Sequence, residues 1–328
     1  MTNAPCENNP KLLCVVGPTA SGKSALAVHL AQLFDGEVIS CDSMQLYRGM
    51  DIGTAKATAE ETEGVAHHLL DILDIRESFS VSEYVRAAEA CVTELQQRGK
   101  TPIFCGGTGL YIDSFVSGLP FDACDIKPGL REELFAFADK NGAEALHARL
   151  AELDPACAAS VDAQNIKRVV RALEICLSTG EPMSAWQKKA KEAAKPRQAV
   201  YIGLTFADRS KLYERIDKRV DAMLDAGLLA ETERLIRAGL RETPTAGQAI
   251  GYKEFYPYFD GEATLDACVD RLKINSRHYA KRQMTWFARN PQIRFFAVDT
   301  MTAEELQSAV AAYCREKGFC RSERGEET

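Results

Sequence analysis

Short apolar runs alternate with amphipathic stretches along most of the chain. The runs at 12–16, 37–41, 102–105, 199–205 and 293–298 each have the length and composition of a buried strand. Helical spacing of apolar residues separates most of these runs, which is typical of a mainly parallel sheet covered by helices on both faces. The pattern therefore predicts an α/β fold.

The strand signals vanish between about 120 and 197. Amphipathic helical patterns replace them at 129–139, 142–153, 164–178 and 183–194. A block of helices between two strands of one sheet indicates an inserted domain, and turn residues mark its edges. We therefore expect a core formed by 1–119 and 197–328, with a helical insertion at 120–196.

The junction after the first strand carries the phosphate-loop pattern G-x-x-x-x-G-K-[ST]. Its residues are Gly17, Pro18, Thr19, Ala20, Ser21, Gly22, Lys23 and Ser24. Backbone N–H groups in such a turn, and the dipole of the helix behind it, favour a bound anion. Lys23 adds charge for the distal phosphates, and the Ser24 hydroxyl is a ligand type that Mg²⁺ accepts. The pattern predicts a di- or triphosphate ligand without showing that it is a nucleotide.

Two further strand ends carry side chains with candidate chemistry. Asp42 follows the second strand and fits either a Mg²⁺ ligand of an NTPase or a general base. Gln45 adds an amide that can hydrogen-bond a base edge, although a solvated glutamine explains it as well. Thr108 lies in a second glycine-rich turn, 106–109, where it either caps a helix or donates to a phosphate or leaving-group oxygen.

Basic residues concentrate in a few helical segments although the net charge is -7. Arg131 and Arg168 lie in the predicted insertion, and Arg215 and Arg219 are four residues apart on one predicted helix. The segment 271–289 holds six Lys or Arg residues and no acid, interleaved with aromatic residues. Each pattern fits either a solvated helix face or contact with a phosphate group.

Composition narrows the class of protein. The chain of 328 residues is 46% apolar and 27% charged, as in soluble globular proteins. No apolar run approaches the ~20 residues of a membrane span, and no signal peptide is recognisable. The eleven cysteines lack framework spacing, and the adjacent His67 and His68 point to opposite sides of an extended strand. We expect a cytoplasmic protein without a membrane partner and with reduced thiols.

Seven segments in a fixed order resemble the tRNA dimethylallyltransferase family, also known as tRNA isopentenyltransferases. The segments are 17–24, 42–47, 53–56, 106–111, 168–174, 249–254 and 279–287. The resemblance spans roughly residues 11–298 and implies a P-loop NTPase-like core with a helical insertion. It also implies Mg²⁺ as cofactor and transfer of a dimethylallyl group from dimethylallyl diphosphate to tRNA. The acceptor in this family is the exocyclic amine of the adenosine 3′-adjacent to the anticodon.

The resemblance implies roles for individual residues. The phosphate loop would hold the diphosphate of the donor, with Ser24 near Mg²⁺. Asp42 would be the general base, and Thr108 would hydrogen-bond the departing oxygen. Lys23 and Arg219 would neutralise the released diphosphate, with Arg215 as the second choice of arginine. Contacts with tRNA are implied for Asp42, Ser43, Met44, Gln45, Thr108, Arg131, Gln164, Asn165, Ile166, Lys167, Arg168, Lys281, Arg282, Gln283, Met284, Thr285, Trp286 and Phe287.

The chain departs from the family pattern at two places. Gln164 and Asn165 stand where the family usually has Asn-Asp, and Ala288 replaces the first of two arginines. The sequence also lacks the zinc module expected in eukaryotic members, which favours a bacterial type. We expect a monomer that binds the anticodon stem-loop.

Three other functions fit parts of the sequence. They are an adenylate dimethylallyltransferase acting on free AMP, ADP or ATP, an ATP-dependent small-molecule kinase, and a non-catalytic RNA-binding NTP switch. The helical insertion and the basic segment 271–289 favour an RNA substrate over a free nucleotide.

Overall fold

The structure is a computed structural model that describes residues 11–120 and 127–320. The described residues form six strands: β1 Leu12–Val16, β2 Gly36–Ser40, β3 His67–His68, β4 Thr101–Gly106, β5 Ala199–Thr205 and β6 Ile293–Ala297. They make one sheet in the order β3-β2-β4-β1-β5-β6, and each neighbouring pair is parallel. The α/β class predicted from the apolar pattern is confirmed.

Helices follow most of the strands. In chain order they are α1 Lys23–Leu33, α2 Ala59–Thr62, α3 Val81–Gln97, α4 Gly109–Ser117, α5 Leu130–Asn141, α6 Ala143–Leu153, α7 Pro155–Ala158, α8 Ile166–Thr179, α9 Met183–Ala193, α10 Arg209–Asp225, α11 Leu228–Arg237, α12 Tyr256–Phe259, α13 Leu265–Phe287 and α14 Ala303–Glu316. The basic segment 271–289 therefore lies mostly in α13, which begins six residues before it at Leu265.

The described chain divides into two compact units. The first unit takes in the described parts of Met1–Val116 and Arg197–Thr328 and contains the whole sheet. Alternate residues of its strands face two different apolar layers: Cys14 packs with the layer that includes α3 and α4, and Val15 with the layer that includes α1 and α14. Because both faces are buried, the strands appear in the sequence as continuous apolar runs.

The second unit is formed by the described residues of Ser117–Pro196. Its helices are α5 to α9, and no strand occurs among its described residues. An apolar core of its own holds the helices together, with Leu134, Leu146 and Leu173 fully buried. Leu146 and Leu150 lie one turn apart on α6, the spacing that places both side chains on one helix face.

The apolar pattern did not predict β3. This strand has only two residues, His67 and His68, and they are polar, so it contributes no apolar run. Its position is stabilised by the buried Glu37 on β2, whose carboxylate lies 2.7 Å from the Nε2 of His68. Hydrogen bonds from Arg98 are the main cause that lowers the pKa of Glu37 to about 2. The ion pair between Glu37 and Arg98, which are far apart in sequence, therefore lies at this edge of the sheet and positions the Glu37 carboxylate for His68.

Candidate active site

The phosphate loop, residues 17–24, connects β1 to α1. Gly22 begins the helix in the left-handed region, with φ of 87°, and no side chain caps the helix. Ala20 is also left-handed, with φ of 62°, a conformation that costs a residue with a Cβ roughly 1–2 kcal/mol. The uncapped N–H groups of the first turn make this end of α1 an anion-binding terminus.

Ser21 contributes a buried hydroxyl to the same loop. The residue is 2% exposed, and its Oγ has no hydrogen-bond partner in the described part of the chain. A buried polar atom without a partner is uncommon in folded proteins. A phosphate oxygen bound in the loop would satisfy it, so this atom supports an anion ligand independently of the sequence motif.

Two cations are held at the loop, Lys23 from within it and Arg219 from α10. The Nη1 of Arg219 donates to Thr19 Oγ1 at 2.9 Å, and the Nζ of Lys23 donates to the Pro18 carbonyl at 3.4 Å. Burial lowers the pKa of Lys23, and the charge of Arg219 lowers it further, while Asp42 acts in the opposite direction. Burial likewise lowers the pKa of Arg219. A bound anion would relieve this crowding of desolvated positive charge.

Arg215 lies near the phosphate loop, but no hydrogen bond from its side chain to the loop is seen among the described residues. Its Nη2 would be 3.8 Å from a Cβ placed on Gly22, and its guanidinium stacks over the ring of Phe206. The side chain of Arg215 is exposed, whereas that of Arg219 is half-buried. Of the two arginines, Arg219 is therefore the one that is hydrogen-bonded to the phosphate loop.

Asp42 and Thr108 follow neighbouring strands, β2 and β4, beside the phosphate-loop strand β1. The Oδ1 of Asp42 accepts from the Met44 amide at 2.9 Å. The Thr108 hydroxyl accepts from the Ser43 amide at 3.2 Å, and the Thr108 amide donates to the Cys41 carbonyl at 3.0 Å. These bonds join the two loops, so the carboxylate and the hydroxyl belong to one structural element.

The glycines of the second turn, 106–109, make room for other parts of the protein. A Cβ on Gly106 would overlap the Cys41 backbone, and one on Gly107 would overlap the Nε2 of Gln283. At Gly109 the overlap would be with the indole of Trp286. These glycines therefore serve internal packing, and the role of Thr108 towards a departing oxygen stays a prediction.

Helix α13 presents two different faces in the stretch 281–287. Gln283 and Phe287 are buried, and the Trp286 indole donates to Asp113 Oδ2 at 2.7 Å. Met284 is half-buried, whereas Lys281, Arg282 and Thr285 are exposed. Three of the seven side chains for which a tRNA contact is implied are exposed, and contact of the stretch with tRNA stays a prediction.

Gln45 is hydrogen-bonded within the protein. Its Nε2 donates to the carbonyls of Thr54 and Ala55 at 3.2 Å, and its Oε1 lies 3.1 Å from the donating Ser40 hydroxyl. Both amide hydrogens are therefore occupied. The side chain ties the turn after β2 to the loop 51–56, and reading of a base by Gln45 would require these bonds to break.

A family model described as IPP transferase matches residues 45–290. The chain belongs to the IPP transferase family. Two curated relatives are both named tRNA dimethylallyltransferase. The one from Halalkalibacterium halodurans is 45% identical over 313 residues, covering 94% of this chain and 98% of the relative. The one from Bacillus subtilis is 47% identical over 302 residues, covering 92% of this chain and 95% of the relative.

Solved structures that are similar to this chain belong to enzymes of the same kind. The full-length tRNA isopentenylpyrophosphate transferase from Bacillus halodurans has a TM-score of 0.71 at 44% identity, covering 94% of this chain and 96% of its own. A eukaryotic dimethylallyltransferase described as acting on tRNA has a TM-score of 0.82 at 28% identity, covering 94% of this chain and 79% of its own. The resemblance drawn from the sequence is confirmed, and with it the prediction of a tRNA prenyltransferase.

Two segments of the IPP transferase resemblance, 53–56 and 249–254, have a structural role in the described chain. The buried Glu231 of α11 accepts from the amides of Ile52 and Gly53 at 3.1 Å and from the Tyr252 hydroxyl at 2.7 Å. Sequence reasoning missed Glu231. The sequence pattern could have revealed it, because Glu231 is an acidic residue on the apolar face of α11, three residues after Leu228.

In the second unit, some of the residues implied to contact tRNA are bonded within the protein and others are exposed. Arg131 makes two 2.7 Å hydrogen bonds to the buried Glu174, although half of its side chain stays exposed. Asn165 caps α8 by accepting from the Arg168 amide at 3.3 Å, a role in which Asn and Asp are equivalent. The side chains of Gln164, Lys167 and Arg168 are exposed, and Ile166 packs on the core of this unit.

A mostly apolar cavity of about 210 Å³ opens beside the start of the phosphate loop. Its lining residues are Gly17, Pro18, Leu204, Thr205, Met284, Phe287, Ala288 and Phe295. Asp42 and Thr108 do not line it, so we assign it no part in the transfer. Within the described ranges, no helix has the length and apolar character to cross a bilayer.

Proposed function

We propose that the protein transfers the dimethylallyl group of dimethylallyl diphosphate to the exocyclic amine of the adenosine 3′-adjacent to the anticodon in tRNA. The observation that carries the proposal is the position of Asp42 and Thr108 beside the phosphate loop. The loops after β2 and β4 are hydrogen-bonded to each other, and β4 is the direct neighbour of β1. A carboxylate and a hydroxyl thus lie next to a loop with the features of an anion site, which supports the proposal.

The phosphate loop would bind the leaving group. As the bond between C1 of the donor and the diphosphate oxygen breaks, both electrons stay on the oxygen and negative charge grows there. The uncapped terminus of α1, the Ser21 hydroxyl, Lys23 and Arg219 all face this charge in a desolvated setting, where fixed positive charge is most effective. The loop therefore favours departure of diphosphate.

Asp42 would serve the acceptor. The new bond joins the adenine N6 to C1, and the proton that N6 loses passes to the Asp42 carboxylate. The Thr108 hydroxyl, which accepts from the Ser43 amide, would donate its hydrogen to the departing oxygen. Since an adenine stacked in the anticodon loop cannot reach these groups, the base must leave the stack.

Mg²⁺ fits the oxygen donors at this site. No cluster of three or more His, Cys, Asp or Glu suited to a metal occurs in the described part of the chain. Mg²⁺ commonly uses one or two protein oxygens together with substrate phosphates and water. Ser24, in the first turn of α1, would supply its hydroxyl, and the ion would neutralise part of the diphosphate charge when bound.

The anticodon stem-loop would contact exposed basic side chains on each unit. On the first unit these are Lys281 and Arg282 of α13, and on the second Lys167 and Arg168 of α8. Contacts of this kind position the RNA backbone, while the site around Asp42 selects the base. We further propose that the protein acts as a monomer in the cytoplasm.

Incorporation of labelled dimethylallyl diphosphate tests the proposal. Wild-type protein, Asp42→Asn and the exposed-acid control Asp270→Asn are each incubated with Mg²⁺ and either unmodified tRNA or AMP. We expect label in tRNA for wild type and the control, and a rate roughly 10²–10⁴-fold lower for Asp42→Asn. Asn retains an oxygen for the Met44 amide, so the turn after β2 keeps its hydrogen bond.

Other outcomes favour other functions. Label in AMP alone would identify an adenylate dimethylallyltransferase. ATP turnover without label in either acceptor would favour a kinase. Full activity of Asp42→Asn on tRNA would remove Asp42 from the role of base.

A further inference from the structure

Gln283 connects the two halves of the site described above. The residue lies on α13 and is 4% exposed. Its Oε1 accepts from the Thr19 amide in the phosphate loop at 2.9 Å. Its Nε2 donates to the Gly107 carbonyl, next to Thr108, at 3.1 Å. One amide group therefore joins the backbones of two loops that are separated by more than eighty residues in sequence.

The two ends of this bridge are attached to the residues of the proposed chemistry. Thr19 accepts from Arg219, so the phosphate-loop end includes a cation for the leaving group. Gly107 precedes Thr108, whose hydroxyl is hydrogen-bonded to the loop that carries Asp42. A shift of Gln283 would thus change the position of the diphosphate relative to Thr108 and Asp42.

Tyr279 lies beside the bridge, on the preceding turn of α13. Its phenol lies beside the side chains of Thr108 and Gln283, and burial raises its pKa. Residues four apart in a helix lie on the same face, so both side chains reach the site from one helix. The rigid helix sets the separation of the two loops.

We propose that Gln283 is a positioning residue that holds the phosphate loop and the Thr108 loop in register for the transfer step. This inference rests on the function proposed above. It replaces the implied contact of Gln283 with tRNA, because the side chain is buried and both of its polar ends are occupied. The bridge needs one acceptor and one donor at fixed positions, which the glutamine amide supplies.

Two substitutions separate this role from packing. Gln283→Met keeps the approximate volume and removes both hydrogen bonds. Gln283→Glu keeps the acceptor, but its ionised form cannot donate to Gly107, whereas its protonated form can. Burial raises the pKa of a carboxyl group, while the nearby charges of Lys23 and Arg219 lower it; we expect burial to dominate, so that this glutamate becomes protonated as the pH is lowered towards 6.

Single-turnover transfer at saturating donor and tRNA is measured between pH 6 and pH 8.5. We expect Gln283→Met to reduce the rate roughly 10–100-fold through misplacement of the reacting groups, with tRNA affinity within about twofold of wild type. Gln283→Glu should be similarly slow at pH 8.5, and its rate relative to wild type should rise at least about fivefold towards pH 6. Ile274→Glu, which adds the same charge at an exposed position of α13, should show a constant ratio.

Three results would overturn the inference. One is a wild-type rate for Gln283→Met with weakened tRNA binding, which would restore an RNA contact. Another is a pH-independent ratio for Gln283→Glu, which decides the matter even if Gln283→Met does not fold. The third is the same pH response in Ile274→Glu. An inactive wild type would instead refute the proposed function, whereas an active wild type with unaffected variants refutes only the inference.

Discussion

The two glycine-rich loops of the site both follow a strand but use glycine in different ways. In the phosphate loop, Gly22 has φ of 87°, and the nearest atom to a Cβ there would be the exposed Arg215 at 3.8 Å. In the loop 106–109, a Cβ on Gly107 or Gly109 would overlap Gln283 or Trp286. Gly22 is needed for its backbone conformation, whereas Gly107 and Gly109 are needed for close packing.

This difference shows why a glycine-rich turn after a strand is not by itself a ligand site. The phosphate loop combines a helix start without a side-chain cap, an unpaired buried hydroxyl and two desolvated cations. The loop 106–109 is closed by α13 and contributes one functional group, the Thr108 hydroxyl. The first loop is therefore expected to control donor binding, and the second to control the geometry of transfer.

Lys23→Ala should have the largest effect on the first loop. Loss of a half-buried positive charge beside the leaving group should reduce the transfer rate roughly 10²–10³-fold. Steady-state kinetics with labelled donor measure the effect, and direct titration should show unchanged tRNA affinity. Lys218→Ala, an exposed lysine on α10, is the control. Equal rates for Lys23→Ala and wild type would remove the phosphate loop from the reaction.

Gly107→Ala should have an intermediate effect on the second loop. The added methyl group displaces Gln283, and overpacking of this kind typically costs about 1–3 kcal/mol of stability. Chemical denaturation measures the free energy of unfolding. Gly22→Ala has open space around it, so its cost is limited to the left-handed conformation, roughly 1–2 kcal/mol.

The two glycine variants should also differ in their affinity for diphosphate. Gly22→Ala alters a loop that faces the ligand and should weaken diphosphate affinity more than Gly107→Ala does. Calorimetric titration with inorganic diphosphate distinguishes them. The comparison of the loops fails if Gly107→Ala weakens diphosphate binding more.

Lys281→Ala and Arg282→Ala should have the smallest effects, because both residues lie on the exposed face of α13. Each should weaken tRNA binding a few-fold and leave the transfer rate at saturation unchanged. The slope of log affinity against log salt should fall by about 0.7 for each lost phosphate contact to single-stranded RNA. A changed rate at saturating tRNA would show that this face also affects the site.

Much of the core was predictable because its signals are local. The runs that became β1 and β5 are continuous apolar segments with the observed bounds, since a strand buried on both faces leaves such a run. The phosphate loop was predictable for a similar reason, because its chemistry is contained in eight consecutive residues. The assignment of Asp42 and Thr108 required the ordered series of segments, as their local patterns left two interpretations open.

The remaining features depend on contacts between distant residues. Thr19 and Gln283 are 264 positions apart, and the Glu231 bond to Gly53 spans 178. Nothing near Gln283 distinguishes a buried bridge from a polar residue on a basic RNA-binding helix. The same limitation applies to Trp286, whose partner Asp113 lies 173 positions away.

The central claim is that the phosphate loop holds the diphosphate of the donor. Initial rates of transfer to tRNA at varied dimethylallyl diphosphate and fixed inorganic diphosphate, without ATP, test it most directly. We predict that inorganic diphosphate raises the KM for the donor and leaves kcat unchanged, with weaker inhibition in Lys23→Ala. Transfer that requires ATP, or a donor KM that does not respond to diphosphate, would contradict the account.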